Sequence, residues 1–245
     1  VAMAQALVPL KDLVEAKSRL GGLLRPSERR ALAQAMVEDV LQALVSHPSI
    51  ARITLLSDDP GAHLLASRYG ADHWLETEFH CRGLNALLER ASVRLLQQGT
   101  VPLLVLHGDL PLLQPRDISA VLATWQSEGG LVIGSDLHGT GTNLLAFDAA
   151  GMPPFRFGPG SCARHLAAAR AAGIPACVLQ REGVALDVDE PPDLARLLSS
   201  LAYYTDGKTA KLLLGTPLGE RIRLALEILP DARSGSANQP RQGRR

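Results

Sequence analysis

Between residues 5 and 135 the chain repeats one rhythm, a short run rich in Val, Leu and Ile followed by a longer stretch with helical periodicity. QALVPL (5–10), ARITLL (51–56), VPLLVL (101–106) and LVIGSD (131–136) are too apolar for strands with one wet face. Near-continuous apolar strands belong in a sheet covered on both sides. The stretches between them supply the cover. In SERRALAQAMVEDVLQAL (27–44), Leu32, Met36, Val37, Val40, Leu41 and Leu44 fall on one helical face, and Pro48 ends the pattern. GAHLLASRYG (61–70) reads as a short helix with Gly70 past its end, and DHWLE (72–76) as a third strand. GLNALLERASVRLLQQG (83–99) and PRDISAVLATWQSEGG (115–130) are further helices, the second opened by proline and closed by glycine. The fold class is α/β, a three-layer arrangement with a mostly parallel mixed sheet.

After residue 135 the rhythm loosens. GTGTNLLAFD (139–148) reads as a turn feeding a strand, SCARHLAAARAAG (161–173) as a helix, and IPACVLQ (174–180) and GVALDVD (183–189) as short strands. An antiparallel edge or inserted hairpin is expected there. A helix with proline in its first turn follows over 191–201. With no divider rich in Gly, Pro or Ser, residues 1–204 read as one domain, 205–230 as a helical extension and 231–245 as a tail of disordered composition.

A formal net charge of +0 gives no reason to expect a nucleic-acid or membrane-surface partner. Cys81, Cys162 and Cys177 stand apart, without the spacing of a disulfide framework or structural zinc, which fits a reducing, cytoplasmic setting. No apolar run approaches the roughly 20 residues needed to span a bilayer. His63, His73, His80 and His165 have no metal-ligand spacing and read as hydrogen-bonding residues.

Three segments carry chemistry. LVLHGDLPLL places Asp109 where a buried strand ends, the position at which open α/β sheets bind ligands. Alone, Asp109 reads first as a cap of the next turn. GVALDVDEPPDL adds Asp187 and Asp189, which in a strand face the same way around Val188. Two anions on one face call for a cation, and acids from two strand ends can converge on Mg²⁺ through oxygen ligands. VPLKDLVEAKSRL puts Lys11, Lys17 and Arg19 in a loop after the first strand, suited to phosphates or simply solvated; neither a Walker loop nor a dinucleotide fingerprint is present. In FGPGSCARH, Gly158 to Ser161 lead into a helix, so backbone N–H groups and the Ser161 hydroxyl can meet a phosphate or carboxylate, or form an ordinary cap. Thr142 and Asn143 can add donors from the facing loop.

VPLKDLVEAKSRL, SERRALAQAMVEDVLQAL, GLNALL, GDLPLL, GTGTNLLAF, FGPGSCARH and LDVDEPPDL, in that order, resemble the phosphoacid guanylyltransferases of coenzyme F(420) biosynthesis over roughly residues 6 to 200. Each motif alone is weak; the order is specific. The resemblance implies the nucleotidyltransferase fold shared with molybdenum-cofactor guanylyltransferases and sugar-phosphate nucleotidyltransferases. It implies transfer of GMP from GTP to 2-phospho-L-lactate, phosphoenolpyruvate or 3-phospho-D-glycerate, with pyrophosphate released and the product passed to the next enzyme. By the same likeness, Asp109, Asp187 and Asp189 are ligands to Mg²⁺, and Gly158, Ser161, Thr142 and Asn143 hold the acceptor. Lys11, Lys17, Arg19 and Asn85 then meet GTP, with Asp109, Lys17 and Arg19 as the catalytic set.

Departures from the family pattern are His107 and Gly108 before Asp109, Cys162 after Ser161, Asn143 where threonine is common, and Cys81 before RGLNALL. Two rival readings stand beside the resemblance. One is a molybdenum-cofactor or sugar-phosphate nucleotidyltransferase, lowered by the missing glycine-rich signature after the first strand. The other is a non-catalytic nucleotide-binding regulator, against which the intact acids count. A homodimer stays open, with the segment after residue 204 available to serve it.

Overall fold

Strand β1 (Ala4–Pro9) runs through the middle of the sheet, and its side chains leave in alternation to two different apolar layers. Ala4, Ala6 and Val8 enter one layer with Val37, Val40 and Leu44, whereas Leu7 enters the other with Leu88, Leu95 and Val105. A strand buried on both faces must be apolar at nearly every position, which accounts for the continuous runs in the sequence. These details come from a computed structural model, which describes residues 3–11, 13, 17–98 and 102–228.

The sheet has the order β3-β2-β1-β4-β6-β5-β7. Its other strands are β2 (Ile50–Leu56), β3 (Asp72–Trp74), β4 (Leu103–Leu106), β5 (Leu131–Ser135), β6 (Thr142–Phe147) and β7 (Ala176–Leu179). β1 pairs in parallel with β2 and β4, β2 with β3, and β5 with β7. β6 alone is antiparallel to its neighbours, β4 and β5. The expected antiparallel element is therefore present but interior, wedged between strands instead of lying at an edge.

One face carries α1 (Pro26–Val45), α2 (Ala62–Arg68) and α4 (Pro115–Glu128). The other carries α3 (Leu84–Leu96) and α5 (Ser161–Ala171). GVALDVD is not a strand as expected. Its first half is a helical turn, α6 (Glu182–Ala185), and residues 186–189 are extended without a ladder partner. The burial alternation survives, with Val188 fully buried between two partly exposed aspartates. α7 (Pro191–Ser200) follows at once, started by Pro191 and by the Asp193 carboxylate, which accepts the N–H groups of Glu190 and Asp189 at 2.8 and 3.1 Å.

The segment expected to be a helical extension holds α8 (Lys208–Leu214) and α9 (Leu218–Ile228). Their Ala210, Leu213 and Ile222 join a third apolar cluster with Leu20, Leu32 and Met36 from the start of the chain and Leu186, Val188 and Leu197 beside the acids. The Asp39 carboxylate of α1 accepts the Thr209 N–H at 2.9 Å and also that of Lys208, fixing the α8 start. The tail from residue 229 lies outside the described residues. Among the described residues no helix is long and apolar enough to cross a membrane.

Candidate active site

From β1 the chain crosses through α1 to β2 on one side; after β3 it returns through α3 to β4 on the other. The carboxyl ends of β1 and β4 thus flank a topological switch point, where the diverging loops open a crevice. A cleft of about 530 Å³ lies there, lined by Lys11, Lys17, Arg19, His107, Asp109 and Asp189 among others. Five residues predicted from three motifs share this one space.

Its walls are held by specific bonds. After β4, His107 N–H donates to the Asn143 carbonyl at 3.1 Å, and the Asp109 carbonyl accepts Val188 N–H at 3.3 Å. The second bond lays the segment of Asp187 and Asp189 beside Asp109. Gly108 sits between, and a Cβ there would lie 2.8 Å from Val37 Cγ2, so only glycine lets the loop pass this close to α1. Lys17, at the start of a short 3-10 turn (Ser18–Leu20), takes the left-handed backbone with φ 57°.

The Lys17 ammonium lies 2.5 Å from Asp109 Oδ2 and 2.8 Å from Asp189 Oδ1. Burial on its own would discharge this lysine, but the field of the two carboxylates outweighs it and raises its pKa. For Asp109, burial pushes the carboxyl up while Lys17 pulls it further down, and the net result lies below the usual carboxylate range. Asp187 goes the other way. Burial and then the Asp109 charge raise it, against a 3.0 Å hydrogen bond from Asn143 Nδ2 to its Oδ1.

This geometry adds contacts that the sequence reading did not contain. Lys17 stands between Asp109 and Asp189. Asp189 faces the lysine and Asp187 faces Asn143, and among the described residues no three His, Cys, Asp or Glu converge to hold an ion. Thr142 and Asn143 are buried rather than aimed at an acceptor. Asn143 Nδ2 also donates to the Val184 and Ala185 carbonyls at 3.0 and 3.3 Å, anchoring the turn that carries Asp187. Thr142 Oγ1 lies 3.0 Å from His165 Nδ1.

Asn85, expected at the nucleotide, instead grips the Phe157 backbone. Its Oδ1 accepts Phe157 N–H at 2.7 Å and its Nδ2 donates to the Phe157 carbonyl at 3.2 Å. Gly158 and Gly160 follow in left-handed conformations, φ 122° and 67°, and remain exposed. Ser161 is not the cap of α5, a position taken by Gly160, but its first residue, and it is buried. Arg19 is exposed and pairs with Glu190 at 2.9 Å, and Lys11 stands exposed at the cleft.

The sequence reading missed Asp193 as a positioning residue and gave His165 a hydrogen-bonding role without its partners. Asp193 is legible in the Glu-Pro-Pro-Asp start of a helix, since a carboxylate three residues past the N-cap turns back to the free N–H groups. His165 is fully buried, and its Nε2 accepts Arg156 N–H at 2.9 Å. That bond assigns the ring as neutral, with Nδ1–H donating to Thr142. No local pattern marks such a residue in the sequence.

A switch-point cleft with carboxylates on one wall and cations on the other, in a sheet of this strand order, defines a nucleotidyltransferase-type protein. Solved structures share the fold. A nucleotide-diphospho-sugar transferase from Desulfovibrio desulfuricans G20 superimposes with a TM-score of 0.77 at 18% identity, covering 91% of this chain and 98% of the other. CMP:2-keto-3-deoxy-manno-octonic acid synthetase, solved with CTP, gives 0.55 at 13% identity, with 83% and 100% covered. Within that class, the family described as "Guanylyl transferase CofC like" matches residues 4–214, and this chain belongs to it. The phosphoenolpyruvate guanylyltransferase of Rubrobacter xylanophilus is 41% identical over 195 residues, 80% of this chain and 93% of the relative. That of Conexibacter woesei is 40% identical over 207 residues, 82% and 90% of the two chains.

Proposed function

We propose that the protein transfers GMP from GTP to the phosphate of a small phosphoacid in coenzyme F(420) biosynthesis, with phosphoenolpyruvate as the acceptor that its relatives' names favour. One observation carries this reading. Lys17, Asp109 and Asp189, from three distant segments, meet at the switch point between β1 and β4.

An acceptor phosphate oxygen attacks the α-phosphorus of GTP. The new P–O bond forms as the bond to the bridging oxygen breaks, and pyrophosphate leaves with that electron pair. The nucleophile is already anionic at neutral pH, so no general base is required. What the reaction needs is alignment and neutral surroundings for two polyanions. Lys11 and Arg19 at the mouth and Lys17 within the cleft supply positive charge toward the triphosphate. The loop at Gly158 to Ser161, pinned through Phe157 by Asn85, presents backbone N–H groups to the acceptor.

The acids fit Mg²⁺. Among the described residues no hydrogen-bond partner reaches the buried Asp109 Oδ1, and the Asp187 carboxyl is raised by burial and then by the Asp109 charge. Mg²⁺ is commonly held by one or two carboxylates with water and substrate phosphates completing its shell, so a ready-made protein cage is not required. Asp109 and Asp187 would hold it, with Asp189 next to them. When bound, the ion neutralises phosphate charge and stabilises the charge that develops on the leaving oxygen.

The test is a matrix of four nucleoside triphosphates against 2-phospho-L-lactate, phosphoenolpyruvate and 3-phospho-D-glycerate, scored by product mass and pyrophosphate. The expected result is a GMP adduct with phosphoenolpyruvate that depends on both Mg²⁺ and acceptor. Absence of any adduct across the matrix refutes the reading.

A further inference from the structure

We infer that Lys17 is a placeholder cation: its ammonium occupies the carboxylate site of the nucleotide-free enzyme and leaves it when GTP and a divalent ion arrive. The inference rests on the proposed transferase reading for the identity of the incoming ligand. Its physical basis is the bridge at 2.5 and 2.8 Å, formed by a lysine side chain that is only 8% exposed.

Carboxylates gathered this closely need a counter-ion. Asp109, Asp187 and Asp189 come from two loops joined side by side through the Asp109–Val188 backbone bond at 3.3 Å, which lays the Asp187–Asp189 segment beside Asp109. Without a cation between them the loops would repel, and the cleft would open before substrate came. Lys17 supplies that cation from the opposite wall.

The bridge is also built for exchange. Lys17 engages Oδ2 of Asp109, and among the described residues the buried Oδ1 has no partner. An entering ion therefore finds a free oxygen before the ammonium departs. The Asp189 side chain is 50% exposed, so half of the bridge can be lost to water without stranding a buried charge. An ammonium on a flexible four-carbon stem can pass from carboxylate to phosphate as a compact point charge, which a guanidinium locked in a bidentate fork does less readily. GTP then contributes twice, by bringing oxygen ligands for the ion and by offering the displaced ammonium a new anionic partner. Ion and nucleotide binding are consequently coupled, each tightening the other by the same factor.

A lasting structural salt bridge predicts the opposite sign in one measurement, which makes the inference testable apart from turnover. Mn²⁺ binding to the full chain without nucleotide is measured by electron paramagnetic resonance for wild type, Lys17→Met, Lys17→Gln and Arg19→Gln, with folding followed by circular dichroism. The placeholder role predicts that both Lys17 variants bind Mn²⁺ at least about tenfold more tightly than wild type. Arg19→Gln removes a neighbouring charge without vacating the site and should change affinity by no more than about twofold. GTP should tighten Mn²⁺ binding to wild type by about tenfold or more and should lose most of that effect in Lys17→Met. Mn²⁺ should also raise the melting temperature of Lys17→Met more than that of wild type. Equal or weaker Mn²⁺ binding by the Lys17 variants would make the lysine a scaffold and overturn the inference, as would tight nucleotide-free binding by wild type. Failure of the transferase reading itself appears elsewhere, as a missing adduct in the substrate matrix.

Discussion

Lys17 and Asp109 meet at 2.5 Å across 92 residues of chain, joining the loop after β1 to the loop after β4 at the one place where the crossovers diverge. That contact makes the cleft an electrostatic unit. One of the cleft's three cations, Lys17, is committed to the site's own carboxylates, and it holds the buried Asp109 carboxyl below the usual carboxylate range. The same relationship explains why apolar cluster and site are contiguous. Leu20, three residues beyond Lys17, and Val188, next to Asp189, lie fully or almost fully buried in one layer closed by α8 and α9.

Asp109→Asn keeps the shape of the side chain and removes the charge. Lys17 is left buried with one carboxylate, which should lower stability by about 1–3 kcal/mol in a urea titration. Stabilisation that matures as pyrophosphate departs is lost as well, so kcat should fall by roughly 10²–10³-fold while KM for GTP changes far less. A fall confined to KM would show that Asp109 only binds.

Gly108→Ala tests whether the approach of the β4 loop to α1 sets the position of Asp109. The new methyl meets Val37 Cγ2 at 2.8 Å, a clash that a β-branched side chain in a helix cannot relieve by rotating away. Overpacking of this kind costs about 1–3 kcal/mol, and the displaced loop should reduce kcat. Val37→Ala removes the obstructing atom, so the double variant should regain most of both losses, a coupling read directly from a double-mutant cycle.

Asn85→Ala separates a nucleotide contact from a positioning one. The Phe157 N–H and carbonyl lose their partner together, loosening the turn that precedes Gly158. With the acceptor placed at the Gly158 loop as proposed, the expected outcome is a KM for the phosphoacid raised by about tenfold with GTP affinity unchanged. Weakened GTP binding with an unaltered acceptor KM would restore the role that the family likeness first implied.

How far the sequence could lead is clearest at particular residues. The strand and helix order was legible because β1, β2 and β4 are buried on both faces, and Leu32, Val40 and Leu44 keep strict helical spacing. Asp109 was legible for a positional reason: an acid directly after an apolar strand has few places to be except the sheet's carboxyl edge. The partner of that acid was not. Lys17 reads as one of three cations in a loop, and nothing local says that its Nζ turns inward rather than toward solvent. The contacts that Thr142, Asn143 and Asn85 make within the fold were not legible for a related reason. An amide or hydroxyl near a ligand loop serves equally well as a donor to substrate or as a brace for backbone, and only the folded contacts decide. The strand expected at 183–189 failed where Asn143 draws Val184 and Ala185 into a helical turn.

His165 offers the sharpest prediction about pH. Burial lowers its pKa to about 4 from the ordinary 6.5, and Arg156 N–H already occupies the nitrogen that would take the second proton. A histidine depressed in the folded state binds more protons when unfolded, so the stability tied to its neutral form is complete above pH 6.5 and drains away as pH falls toward about 4. The ring is fully buried, which places the loss on the order of 2 kcal/mol between those limits. His165→Gln has no charge to acquire and should show a flatter dependence of urea midpoint on pH across that window, even if its stability at pH 7 is lower. Identical slopes for the two proteins would mean that His165 takes up its proton in the folded state as freely as in the unfolded chain, and the acid sensitivity would then have to reside in the carboxylates paired with Lys17 and Arg221.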